Sequence, residues 1–151
     1  MFKPKVDLYD FVIRQNWHKV SRMYNQKTAQ IGITSSMGFL LMIIEKAGTP
    51  STQLGPRMGM EPTSLSRTLK TMEDVGFIRR ELDTVDKRKV LIYLTEKGID
   101  KRRQTRDLIV EYNAKLNTKI PAGKMKVFFE VMNKIEELTD LELENLNSTL
   151  K

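Results

Sequence analysis

Two clusters of side chains hold the chemistry available to this sequence. Thr63, Ser64, Ser66, Arg67 and Lys70 form the first, and Lys87, Arg88 and Lys89 the second. Small hydroxyl residues let a backbone approach phosphates and base edges, and a helix N-terminus favours anions. Long cations one turn further on reach a groove floor or its walls. The combination suits the holding of a polyanion. Bond-breaking chemistry needs a nucleophile with its base, a carboxylate pair in a cleft or a metal cluster, and no such constellation stands out. The chain has no cysteine and a single histidine, His18. Disulfides, cysteine-based zinc sites, iron–sulfur clusters and thiol redox sensing are thereby excluded. We expect no catalytic residue, no metal, no cofactor and no enzyme.

Charge supports the same direction. The 151 residues carry 26 Lys and Arg against 19 Asp and Glu, a net charge of +7. Residues 57–106 hold 13 of those cations and 8 acids, whereas residues 130–151 hold 2 and 6. A basic middle and an acidic end fit a molecule with one phosphate-facing side, although a solvated surface with a chance bias would look similar. The composition, 40% apolar and 30% charged, is that of a globular protein long enough for one domain with a real core. No apolar run approaches the roughly 18–20 residues that span a bilayer, and no signal peptide is visible. A cytoplasmic protein without a membrane partner is expected.

The elements that must position these clusters are legible from periodicity and punctuation. Residues 6–30 place Ile13, Trp17, Val20 and Tyr24 on one helix face. Gly32 ends that helix, and Thr34 or Ser35 caps the next. Residues 36–47 are apolar almost all round, the mark of a buried helix, and Gly48 stops it. Thr49 and Pro50 suit an N-cap and first residue for a short helix to Met58, with Gly59 as its stop. Pro62 opens a helix through Val75, closed by Gly76. Leu54 and Met58 on the first of these short helices, and Leu65, Leu69 and Met72 on the second, face inward. Gly59-Met60-Glu61 has the length of a helix-turn-helix connection. The outward face of the second helix is then Thr63, Ser64, Ser66, Arg67 and Lys70. Residues 77–82 and 90–94 read as two strands. The charged loop 83–89 between them makes a hairpin whose tip, Lys87, Arg88 and Lys89, is either a minor-groove probe or a solvated turn.

These residues resemble the MarR (multiple antibiotic resistance regulator) family. Gly76-Phe77-Ile78-Arg79-Arg80, Asp86-Lys87-Arg88, and Val90 through Gly98 with its Leu94-Thr95-Glu96-Lys97-Gly98 ending are similar to the family's wing. Thr63 to Leu69 is similar to its recognition helix, and Leu54 to Gly59 to the helix before it. The resemblance implies a mainly α fold with a small β-hairpin wing (α+β), a winged helix-turn-helix at about 33–98. Residues 1–32 and 99–151 would form dimerisation helices of the same single domain. It implies a sequence-specific, double-stranded DNA-binding transcriptional regulator, a repressor modulated by a small-molecule ligand. The alternative is a sequence-tolerant architectural DNA-binding winged-helix protein. By carry-over Arg88 matches the wing arginine, and Asp86 the acid that holds the wing, which we read as paired with a nearby arginine. Lys87 and Lys89 would meet phosphates, and Ser64, Ser66, Arg67 and Lys70 the major groove. One departure stands out: Gly55-Pro56 replaces helix formers. A proline inside a helix costs about 3 kcal/mol, so this helix is expected to be kinked or shortened to its first turn, which bears on Arg57 as a phosphate contact.

Beyond the wing, Thr95 caps a long helix to Lys119, Pro121 and Gly123 break the chain, and a second helix follows from about Lys124 to Leu146. Phe128, Val131, Met132, Ile135, Leu138 and Leu146 exceed what a lone arm can bury, so a homodimer is expected. It would bind a pseudo-palindromic operator with half-sites roughly 10 base pairs apart. Lys101, Arg102, Arg103 and Arg106 are either DNA backbone contacts or solvated charges. An amphipathic or aromatic effector would enter between helix 6–30, the buried helix and the long helix. Trp17, His18, Tyr24, Met37 and Met42 are its candidate lining, although plain core or interface is the commoner role for such residues.

Overall fold

Helix α1 runs Tyr9–Ala29 in the computed structural model, which describes residues 8–149. The expected start of this helix at residues 6 and 7 lies outside the described residues. Its burial is confined to the last turns, at Tyr24 and Thr28. Helix α2, Ser35–Ile43, begins at Thr34, whose Oγ1 accepts the Met37 amide at 3.2 Å. It ends at Ile43 rather than at residue 47 because Ile44 turns extended. The chain then folds back so that Thr49 Oγ1 accepts the Glu45 amide at 2.9 Å.

That fold-back corrects the expected capping role of Thr49 and Pro50. Both residues form a short strand, β1, that pairs antiparallel with β3 (Val90–Leu94) through Thr49↔Ile92 and Pro50↔Leu91. Helix α3 therefore starts one residue later, at Ser51, and runs to Met58. Pro56 does not shorten it to its first turn. The donor it removes would have reached the carbonyl of Thr52, an exposed residue, and Leu54 is completely buried and holds the helix down. Gly59, at φ 59°, closes α3: its amide donates to Pro56 O at 3.4 Å and the Met60 amide to Gly55 O at 3.1 Å. This paired closure needs a left-handed residue, which glycine adopts without a Cβ penalty. The same bond pattern recurs at Gly32 and Gly76.

Helix α4, Pro62–Asp74, buries Leu65, Leu69 and Met72, each worth about 1.5–3 kcal/mol. Strand β2, Ile78–Leu82, pairs with β3 in a hairpin register from Ile78↔Leu94 to Leu82↔Val90. The sheet is thus three-stranded, ordered β1-β3-β2. One core joins Leu40, Leu41, Ile44, Leu54, Met72 and Ile92, all fully buried, with Ile33, Leu65, Leu69, Phe77 and Ile78 around them.

Helix α5, Glu96–Lys119, is capped by Thr95 as expected: the Gly98 amide donates to Thr95 Oγ1 at 3.0 Å. Helix α6, Ala122–Thr149, begins before Lys124 and extends past Leu146. Gly123 lies inside its first turn and is no breaker. Lys124 and Met125 amides both donate to Pro121 O, so proline alone marks the boundary. The chain divides into two compact units, one to Ile109 and one from Val110. No residue of α6 is buried, and no helix among the described residues is long and apolar enough to cross a membrane.

Candidate nucleic-acid interface

Helix α4 separates its side chains by face. Leu65, Leu69 and Met72 turn inward, while Thr63, Ser64, Ser66, Arg67 and Lys70 are all exposed. Lys70 Nζ lies 3.3 Å from Asp74 Oδ1, an exposed pair one turn on. Such pairs contribute little and are readily exchanged for another anion. Arg67 has no ion-pair partner among the described residues. Arg57, on α3, lies 3.2 Å from Glu45 Oε1, again in a solvated pair.

The hairpin tip is built by two aspartates. Asp83 Oδ1 accepts the amides of Val85 at 2.7 Å and Asp86 at 3.2 Å. Asp86 Oδ1 accepts Arg88 Nε at 3.1 Å and the Arg88 amide at 3.2 Å. The loop is sealed by Asp83 N donating to Lys89 O and Lys89 N to Asp86 O. The pairing of Asp86 with an arginine is the role expected of it. Lys87, Arg88 and Lys89 are exposed at the tip.

Both carboxyls are held below the usual carboxylate range. For Asp83 the causes are the Val85 and then the Asp86 amide; for Asp86 they are the Arg88 guanidinium and then its amide. A carboxyl with a lowered folded pKa supports its turn above the ordinary range and loses that support as pH falls through its own pKa. Asp83→Ala is expected to release the Val85 and Asp86 amides, read as faster hydrogen exchange at those two sites at neutral pH. Unchanged exchange would remove Asp83 from the tip's construction.

The cations of loop 83–89 mask the turn chemistry of Asp83 in the sequence. An aspartate two residues before a tight loop is a known turn signal. Two further residues were missed. Arg80 Nε lies 3.0 Å from Glu73 Oε2, tying β2 to α4. The strand's two-residue period puts Arg80 on the same face as buried Ile78, and a cation there asks for an acid. On the other face Arg79 stacks 4.6 Å above the Tyr93 ring and pairs with Glu81 at 2.8 Å.

Two of the four cations of α5 resolve differently from either expectation, and Arg103 and Arg106 follow the solvated one. Arg102 donates to Ile44 O at 3.0 Å and Met42 O at 3.1 Å, and Lys101 to Ile31 O at 2.8 Å. These two tie α5 to the ends of α2 and α1, where carbonyls left over by the helices need donors. Arg103 and Arg106 pair with Asp100 and Asp107 on the surface.

The expected effector lining needs correction. A cavity does lie between α1, α2 and α5, but of the five candidates only Tyr24 lines it, with Thr28, Gly38, Phe39, Thr105 and Leu108. Its volume is about 10 Å³, scarcely one water molecule. Trp17 is 61% exposed, His18 borders a surface groove along α1 with Phe11 and Lys19, and Met37 packs on the main core. Met42 is half-buried and not in the wall. The nine residues of α2 reach only about 14 Å, too short to cover the N-terminal half of α1.

Comparison with known proteins points in the same direction. Residues 33–90 match the MarR family model. Over that segment the chain is similar to the MarR family. The matched segment contains α2, α3, α4, β2 and the hairpin tip. The chain is 30% identical over 89 residues to the HTH-type transcriptional regulator TtmR of Methylorubrum extorquens (strain PA1), 58% of this chain. The match spans only 46% of that relative's length. The fold is shared with Staphylococcus aureus MepR in a DNA complex, at TM-score 0.79 and 20% identity over 89% of this chain and 99% of that one. It is also shared with Streptomyces coelicolor PcaV in complex with its natural ligand, at TM-score 0.71 and 18% identity, covering 89% and 98%. At these identities the likeness establishes the fold.

Proposed function

We propose that this chain is a sequence-specific, double-stranded DNA-binding transcriptional regulator, acting as a cytoplasmic repressor. The observation that carries the reading is the pairing of α4's hydroxyl-and-cation face with a rigid, cation-tipped hairpin tied to the same helix through Arg80 and Glu73. Helix α4 enters the major groove, where Ser64, Ser66, Arg67 and Lys70 meet bases and phosphates. The wing carries Arg88 to the adjacent minor groove, and Lys87 and Lys89 supply salt-dependent contacts. The name of TtmR and the DNA complex of MepR support this reading.

A second copy of the chain completes the reader. Helix α6 leaves Phe128, Phe129, Leu138 and Leu146 more than half exposed, an apolar load that a lone helix does not keep in water. A twofold dimer would set the half-site spacing. Effector control is proposed at the cleft between α1, α2 and α5, which must open around Phe39 and Leu108 to admit a ligand.

Selection of duplexes from a random pool by the purified protein tests the reading. Recovery of a pseudo-palindromic site supports it, and recovery of random sequence favours the architectural alternative. On the recovered site, Arg88→Ala is expected to weaken binding by about 1–3 kcal/mol with the dimer unchanged by light scattering. Unaltered affinity would remove the wing from the mechanism.

A further inference from the structure

Val85 stands at the tip of the wing with 94% of its surface exposed, more than any other large hydrophobic side chain among the described residues. A single exposed valine on a loose loop would call for no explanation. This one is held. Its amide donates to Asp83 Oδ1 at 2.7 Å, the next amide shares that oxygen, and the loop is closed across Asp83 and Lys89. Branching at Cβ restricts the side chain as well. A rigid apolar group therefore projects from a hairpin whose other tip residues, Lys87, Arg88 and Lys89, draw it toward a polyanion.

On a hairpin that enters the minor groove, such a group meets the floor of that groove. At A·T pairs that floor presents only the adenine N3 and thymine O2 acceptors, whereas a G·C pair adds the protruding guanine 2-amino donor. Methyl groups pressed on an A·T floor meet no obstruction. Pressed on guanine they would collide with the amino group and strip its water without giving an acceptor in return. We propose that Val85 is a specificity-determining residue of the wing, admitting A·T pairs beneath the tip and rejecting guanine through its 2-amino group. This rests on the DNA-binding reading above and deepens it: Arg88 supplies charge, and Val85 supplies the choice of base pair.

The test uses the full chain and the duplex recovered by its own selection. The A·T pairs flanking each half-site are replaced by G·C, or by inosine·cytosine, which presents the major-groove edge of G·C but lacks the 2-amino group. Fluorescence anisotropy at fixed salt is expected to show about a tenfold loss with G·C and recovery with inosine·cytosine. Val85→Ser, whose melting temperature should match the parent because the side chain is exposed, is expected to bind all three duplexes alike. Recovery of guanine beneath the wing overturns the proposal. So do equal losses for G·C and inosine·cytosine, or discrimination that survives in Val85→Ser. In each of those cases DNA binding itself stands. Failure to select or bind any duplex overturns the DNA-binding reading and the role of Val85 with it.

Discussion

Gly98→Ala is expected to destabilise the protein by about 3 kcal/mol, a fall in melting temperature of roughly 10 °C for a chain of this size. A Cβ at residue 98 would stand 1.9 Å from Phe77 O and 2.9 Å from the carbonyl carbon. The obstacle is backbone, and that backbone is held on several sides. Phe77 O accepts the Thr95 amide at 3.0 Å, the Phe77 amide donates to Met72 O at 2.8 Å, and Lys97 Nζ donates to Val75 O at 2.7 Å. Relief would require pulling α5 away from the end of α4, at the cost of the Thr95 cap. Gly123→Ala is the control: nothing lies within 4 Å of its Cβ position. There, inside the first turn of α6, alanine should stabilise by up to about 1 kcal/mol. Thermal unfolding followed by far-ultraviolet circular dichroism separates the two. A Gly98→Ala protein melting with the parent would refute the close approach of α5 to Phe77.

Arg67→Ala should cost about 1–3 kcal/mol on the selected site and distinctly less on random duplex. The guanidinium lies in the middle of the exposed face of α4, and no acid among the described residues competes for it. Lys70, Arg57, Arg80 and Arg88 each have such an acid within 3.3 Å. Five donors in a planar fork match the O6 and N7 acceptors of guanine, and the proposed function gives Arg67 that role. A phosphate anchor would lose equally on every duplex, and binding isotherms on the two duplex classes distinguish the roles. Equal losses would move Arg67 to the phosphates.

Much of the site was legible because it depends on local rules. Helical spacing alone separated Leu65, Leu69 and Met72 from Ser64, Ser66 and Arg67, since residues three and four apart share a face. Strand composition and a charged loop were enough for the hairpin. The wall of the cleft beside Tyr24 was not legible for the opposite reason. Trp17 lies seven residues before Tyr24, on the same stripe of α1, yet one is exposed and the other buried. The difference lies in the length of α2, which no pattern within α1 encodes.

Arg102 and Thr49 show the same division. Their types suggested a surface cation and a helix cap; the fold made one a donor to α2's last carbonyls and the other a strand residue beside Ile92. The order of the helices, their inward faces, the stops at Gly32, Gly59 and Gly76 and the cationic wing were determined by the sequence, because hydrogen bonding and side-chain periodicity act within a few residues. The third strand, the Arg80–Glu73 tie, the collision that forbids a side chain at Gly98 and the closed cleft beside Tyr24 were decided by tertiary structure. Each depends on which distant backbone arrives at a given side chain, and packing sets that arrival for the chain as a whole.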